Sequence, residues 1–252
     1  MKILVALKQV PARDSQFRPD ASGRWIDVSG LSYEINEPDA CALETGLRLK
    51  EQHGGEVAVL CAGPPAAASS IREALAKGAD RAVHLEHPDL GAGDPLALAR
   101  PLAGPAAAES PDLILTGLQS DDLGAGQTGV ILAELLGLPH ATIIMDIELR
   151  GGALRVKREL EDGWFQHVTL PLPALLTIQS GSSKLRYATL MGIKKAKKKE
   201  IKAVPAEPPP PGAVLERLFL PERTKHTVML EGSPAEQAAQ LAGKLKHEVR
   251  VL

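Results

Sequence analysis

The sequence predicts an α/β fold: a mostly parallel, doubly wound, Rossmann-like sheet with a small antiparallel hairpin section and an extended C-terminal arm ending in a helix. Three observations carry this. Up to about residue 140, short apolar runs alternate with helical patterns, which calls for parallel strands joined by crossover helices on both faces. After His140, β-like runs follow one another directly across Gly151-Gly152 and Asp162-Gly163, the punctuation of antiparallel hairpins. Near the end, a proline-rich stretch precedes a single well-capped helix.

Taken in order, Ile3–Val10 reads as a first strand. Ala40–Gln52 is helical, with Leu43, Leu47 and Leu49 set among Glu44, Arg48 and Lys50. Glu56–Cys61 is a buried strand closed by Gly63-Pro64-Pro65, and Ala66–Lys77 a helix stopped by Gly78. Arg81–Leu85 is a short strand, Pro95–Ala108 a helix, Asp112–Thr116 a strand running into Gly117, and Gln127–Leu136 a helix with Gly137 and Pro139 beyond it. Ile147–Arg150 with Leu154–Glu159 form the expected hairpin, Phe165–Leu170 its continuation, and Ala174–Ile178 one more buried strand. From Ser180 the pattern dissolves into a loop and a basic run, Lys194–Lys199. Pro208–Pro211 is read as an extended spacer. In the last helix Ser233 is the N-cap, Pro234 the first helical residue and Glu236 the partner in a capping box, with Ala238, Leu241, Ala242 and Leu245 as its apolar face. A helix tethered by so much irregular chain is expected to dock on a partner.

Composition excludes several classes. The 252 residues carry a net charge of −2, and aromatics make up 3%, so neither a basic footprint nor a stacking platform points to nucleic acid. Cys41 and Cys61 are isolated among apolar neighbours and read as small buried residues of a reducing compartment. The start, Met1–Lys8, is too short an apolar run for a signal peptide, and no stretch approaches membrane-spanning length. A soluble, intracellular protein is expected. The histidines are scattered, only His84 and His87 lying close together, and no metal set, Ser/His/Asp group or carboxylate pair is evident.

The most informative segment is Leu113–Gly129. An apolar strand ends in Gly117-Leu118-Gln119-Ser120-Asp121-Asp122-Leu123-Gly124-Ala125-Gly126 and leads through Gln127 and Thr128 into a helix. At the carboxyl end of a parallel strand, such a loop suits a phosphate held by helix N-terminal N–H groups and the Thr128 hydroxyl. Asp121 and Asp122 would repel a phosphate but suit ribose hydroxyls. An ordinary turn with a helix cap accounts for the same residues, and no Gly-Lys-Ser/Thr motif is present. Ala6–Pro11 and Ala62-Gly63-Pro64 should share that sheet edge. Asn36-Glu37-Pro38-Asp39 precedes the first helix, where Asp39 reads first as a cap.

Several segments together resemble the β (small) subunit of electron-transfer flavoproteins: Val5–Val10, Gly78–Arg81, the Gly117–Gly129 loop, Val156–Gly163 with Gln166, Val168, Pro173 and Leu175–Thr177, and Arg186–Leu190 with the lysine-rich run. The resemblance spans residues 1 to about 203. It implies an adenine-nucleotide-binding α/β domain over 1–203, with 179–200 as partner-recognition loop and basic run, and an arm over 204–252 that docks on an α subunit. It also implies a non-enzymatic electron carrier in the cytoplasm, a heterodimer with FAD held mainly by the α subunit and a structural AMP on this chain. Electrons would pass from acyl-CoA or related dehydrogenases, as in fatty acid β-oxidation, to a quinone oxidoreductase or another acceptor. The AMP contacts implied are Ala6, Asn36, Glu37, Pro38, Asp39, Ala62 and Gly117 through Thr128; the partner contacts are Ser182, Leu185, Arg186 and Tyr187.

The chain departs from the pattern where the family carries an apolar anchor followed by Asn-Glu-Pro: here stand Ser182-Ser183-Lys184-Leu185, with Leu185 as the candidate substitute. Gln127-Thr128-Gly129-Val130 stands where electron-bifurcating relatives read Gln-Val-Gly-Pro, which favours AMP over a second FAD. The competing readings are that bifurcating type, a stand-alone adenine-nucleotide-binding protein without a redox role, and a basic-tailed RNA binder. For the lysine run, a solvated face stands beside a docking role, in which replacing Lys197, Lys198 and Lys199 slows electron uptake mainly at low ionic strength.

Overall fold

The computed structural model describes residues 1–88, 90, 94–207, 210, 212–221 and 227–251. They fall into two compact units, Met1–Phe17 with Asp27–Glu216 and Arg18–Ile26 with Arg217–Leu252. Apart from Pro210, the expected proline spacer lies outside the described residues.

The larger unit is built on a nine-stranded sheet. Its strands are β1 (Lys2–Leu7), β4 (Glu56–Gly63), β5 (Arg81–Glu86), β6 (Leu113–Gly117), β7 (His140–Arg150), β8 (Ala153–Glu159), β9 (Phe165–Pro171), β10 (Ala174–Ile178) and β11 (Ile201–Pro205), in the spatial order β11-β5-β4-β1-β6-β10-β7-β8-β9. Every pair from β11 to β7 is parallel, and β7-β8-β9 form the expected antiparallel section. The helices are α1 (Glu37–His53), α2 (Ala68–Lys77), α3 (Pro95–Ala108), α4 (Thr128–Leu136) and α5 (Leu190–Ala196).

Strand alternation sorts the core onto two faces. Ile3, Val5, Val57, Val59, Leu113, Leu115 and Leu176 pack with Leu43 and Leu47 of α1 and Ile71 and Leu75 of α2. Leu4, Ala58, Leu60, Val83, Ile114 and Leu175 pack with Ala99 and Leu102 of α3 and Leu132 and Ala133 of α4. Both cysteines are buried as expected, and burial pushes the Cys61 thiol up to about 12, which leaves it unreactive.

Three expectations need correction. The first strand is not continuous through Val10. The Lys8 N–H turns away to the Asp39 carboxylate, and β2 (Gln9–Pro11) pairs instead with β3 (Tyr33–Ile35) in a separate two-stranded sheet. The first helix begins three residues before Ala40, so Asp39 is not a cap but a buried residue of its first turn. The segment after Ser180 is not all loop, since it contains α5 and β11. β11 extends the sheet beside β5, its parallel neighbour, with Ile201 and Val204 half-buried and Lys202 exposed.

At the opposite, amino-terminal edge of the sheet, Arg81 joins Glu109 at 2.5 Å and Glu56 at 2.6 Å, and Lys2 reaches Glu109 at 3.1 Å. The Arg81 guanidinium holds the Glu109 carboxyl down to about 2. A depressed carboxyl stabilises the fold above its unfolded value of 4.5 and loses that contribution as pH falls toward about 2. Relative to Glu109→Gln, the wild type should therefore lose about 2 kcal/mol between pH 5 and pH 3, read by urea unfolding.

In the smaller unit, Arg18–Ile26 forms a tight turn closed by a Pro19–Ile26 bridge, and Leu218 N–H donates to Gly23 O at 2.7 Å. Its helix α6 (Pro234–Lys244) carries the full capping box: Ser233 Oγ accepts from the Glu236 N–H, and Glu236 Oε2 accepts from the Ser233 N–H at 2.7 Å. A π-helical turn, Leu245–Val249, follows it, and no residue of α6 is buried.

Candidate functional site

From β1 the chain winds to β4 and β5 on one side; from β6 onward it builds the other side through β10 and β7. β1 and β6 are neighbours, so the crevice at their carboxyl ends is the switch point of the sheet, where ligands of open α/β folds bind. An open cleft of ≈ 670 Å³ lies there.

Its floor depends on Asp39. One carboxylate oxygen accepts the Lys8 N–H at 2.7 Å and the other the Gly117 N–H at 2.8 Å, tying the ends of β1 and β6 to the first turn of α1. Only 7% of Asp39 is exposed, and burial pushes its carboxyl up to about 7 against the pull of those two N–H groups. Asn36, at the N-cap position but without a capping bond, matches the next loop like a piece of backbone: its amide donates to Gln119 O at 2.9 Å and accepts the Asp121 N–H at 2.9 Å. Gly124 N–H closes on Ser120 O at 2.8 Å, and Gly124 and Gly126, at φ +63° and +65°, return the chain to α4.

Two glycines make room by necessity. A Cβ on Gly117 would overlap Pro38 and the Asp39 carboxylate, and one on Gly129 would lie 2.5 Å from Thr116 Oγ1 and 2.7 Å from Thr177 Cγ2. Gly129→Ala is expected to destabilise the chain by about 1–3 kcal/mol and to weaken any ligand at the start of α4, measured as a paired shift in unfolding midpoint and nucleotide content.

Of the expected cofactor residues, Ala6, Asn36, Asp39, Gly117, Leu118, Gln119, Ser120, Leu123, Ala125, Gly126, Gln127 and Thr128 line the cleft. Glu37, Pro38, Ala62, Asp121, Asp122 and Gly124 stand outside its lining. Pro38 lies under Gly117, Ala62 is buried on β4, and Glu37 pairs with Arg13. The two aspartates expected to offer acceptors to ribose are committed to cations. Asp122 holds Lys8 Nζ at 2.7 Å and Asp121 holds Arg13 at 3.1 Å, which also offsets their repulsion of an anion. Sequence reasoning missed the apolar wall from α3 and α4, Pro95, Leu98, Leu102 and Leu132, because nothing in a helix's own pattern says which strand end it overhangs.

α4 opens onto the cleft with Thr128 and Gly129, and its N-cap residue Gln127 provides no side-chain cap. The first-turn N–H groups have no intrahelical acceptor and lie at the positive end of the helix dipole, an arrangement suited to an anion. Among the described residues no group of three or more His, Cys, Asp or Glu is placed to hold a metal, and no helix is long and apolar enough to cross a membrane.

The expected partner residues separate. Leu185 packs against the core, and Ser182 turns into a groove with Arg48, Gln52 and Asp146. Arg186 spends its guanidinium on α1, and Tyr187 is 93% exposed.

The model of the electron transfer flavoprotein domain matches residues 25–209. The chain is 37% identical over 255 residues to the electron transfer flavoprotein subunit beta of Methylophilus methylotrophus, covering 96% of each. It is 35% identical to that of Bacillus subtilis, covering 90% of this chain and 91% of the relative, and 38% identical to that of Homo sapiens, covering 81% of each. The chain belongs to the electron transfer flavoprotein family, as an electron-transfer protein of the β-subunit type.

Proposed function

We propose that this chain is the small subunit of a heterodimeric electron carrier, holding a structural AMP in the switch-point cleft while an α subunit carries the redox-active FAD. The observation that carries the nucleotide is the coincidence, at the switch-point cleft, of an uncapped α4 N-terminus and a cradle whose two glycines admit no Cβ. Those residues fit the group. The first turn of α4 with Thr128 would take the phosphate, and the ends of β1 and β6 with Asn36 and the 118–126 loop would take the nucleoside. The AMP supplies charge and bulk, with no redox chemistry. This chain's residues bind it, and the Asp39 clamp keeps the two strand ends at a fixed spacing.

In the cell the heterodimer would take electrons from acyl-CoA-type dehydrogenases and hand them to a quinone oxidoreductase or another acceptor, in the cytoplasm, with no substrate turnover by this chain. The unburied helix α6, with Leu241 at 49% exposure, supports docking of the arm on the α subunit. Co-expression with an α subunit, followed by cofactor quantification, tests the reading. One FAD and one AMP per heterodimer is the expected result. Two FAD would transfer the chain to the bifurcating type, and no complex with no nucleotide would reject the proposal.

A further inference from the structure

Resting on the nucleotide reading, we propose that Arg13 is a positioning residue that latches the 118–126 loop shut over the cleft, so that an exposed ion pair gates nucleotide exchange. The loop is pinned firmly at one end only. Asp39 accepts the Gly117 N–H at 2.8 Å, and the Asn36 amide holds Gln119 O and the Asp121 N–H, both at 2.9 Å. At the other end Gly124 and Gly126 take positive φ, and a Cβ on Gly124 would meet nothing within 4 Å. Residues 121–125 are exposed, yet Leu123 and Ala125 also line the cleft. This stretch is the roof of the cleft, with open space and glycine backbone at the end about which it can lift.

Between those ends the roof is held down by charge. On the inside, Lys8 Nζ, just beyond β1, reaches the two oxygens of Asp122 at 2.8 and 2.7 Å, with 12% and 16% of the side chains exposed. On the outside, Arg13 donates to Asp121 at 3.1 Å and pairs with Glu37 at the start of α1. The Arg13 N–H donates to the Glu34 carboxylate of β3 at 3.2 Å, which anchors the residue to the small β2-β3 sheet.

The two pairs differ in kind. The Lys8 pair lies mostly out of water and is little screened, whereas the Arg13 side chain, at 58% exposure, is open to salt. Lys8 belongs to the cleft lining, but Arg13 stands outside it and meets the roof alone. Glu37 keeps the guanidinium in place while Asp121 closes on it or leaves. Lifting the roof parts both carboxylates from their cations, and closing it neutralises them again, which favours the closed state whenever an anion is inside. A gate and a ligand contact leave different kinetic marks. Weakening a gate speeds entry and release together and leaves Kd unchanged, whereas deleting a contact raises Kd.

The test uses the purified heterodimer and tritiated AMP, with entry, release and equilibrium binding measured at low and physiological salt. Arg13→Gln and Asp121→Asn should each release AMP about two- to fivefold faster, with entry accelerated as much and Kd within about twofold of wild type. Wild-type release should quicken with salt, and release from either variant should not. Exchanging the charges, Arg13→Glu with Asp121→Arg, should restore slow, salt-sensitive release, which a general loss of folding stability would not do. Wild-type release rates in both single variants overturn the proposal and leave the nucleotide reading intact. A raised Kd with unchanged entry also overturns it, because Arg13 would then be a ligand contact. A wild-type heterodimer that takes up no AMP at either salt removes the nucleotide reading and the gate together.

Discussion

Asp39→Ala should cost this protein about 2–5 kcal/mol and, on the proposed reading, release the nucleotide from the switch-point cleft, because it leaves the buried N–H groups of Lys8 and Gly117 without acceptors at once. These N–H groups sit at the carboxyl ends of the two strands that flank the switch point, so the same change that destabilises the fold relaxes the spacing the ligand needs. Asp39→Asn separates the effects. It keeps one acceptor but turns an amide N–H₂ toward the second backbone donor, so it should bind nucleotide poorly even where it folds. The pH dependence has a definite sign. A carboxyl raised from 3.8 to about 7 by burial stabilises the fold most below the unfolded value and loses that contribution as pH rises through about 7. Stability of the wild type relative to Asp39→Asn should therefore fall by several kcal/mol, about 4 at most, between pH 4 and pH 8. Equal pH profiles in denaturant unfolding would show that Asp39 does not titrate in this window.

Much of this site could be read in the sequence because its signals are local. A glycine-rich turn after an apolar strand and before a helix names its own place in a parallel sheet, and residues 117–128 accordingly meet Ala6, Asn36 and Asp39 at one edge. What could not be read was long-range pairing. Asp39 looked like a cap because its two partners lie 31 and 78 residues away, and Asp121 and Asp122 looked free because Arg13 and Lys8 are over a hundred residues distant. Strand β11 was hidden for the same reason: Ile201–Pro205 has little pattern of its own and becomes a strand only beside Arg81–Glu86, across more than a hundred residues of intervening chain. The seven-residue helix α5 is too short for a hydrophobic period, and its exposed leucine and methionine obey no burial rule.

Arg186→Ala should be the second severe substitution, destabilising by about 3–5 kcal/mol, since it strips a buried carboxylate of its counter-ion. Glu44 has only 8% of its side chain exposed and takes Arg186 Nε at 2.7 Å and an Nη at 3.0 Å, while Glu51 on the next turns takes the guanidinium at 2.6 Å and 3.2 Å. Glu51, at 58% exposure, contributes little by comparison, so Glu51→Ala should cost no more than about 1 kcal/mol. Arg186→Lys should fail as well, because a point charge cannot serve two carboxylates through a planar fork. The guanidinium also fixes what lies on either side of it: Leu185 is seated on the core, and Tyr187 points out beside α5. Arg186 is thus a positioning residue, and its loss should free residues 179–189 to proteolysis before the sheet unfolds. Pairing Arg186→Leu with Glu44→Leu distinguishes this from a direct partner contact. The double variant should recover much of the stability lost by Arg186→Ala, because neither charge is then buried alone. If Arg186 instead gripped a partner, the single variant would keep its unfolding midpoint and lose only binding.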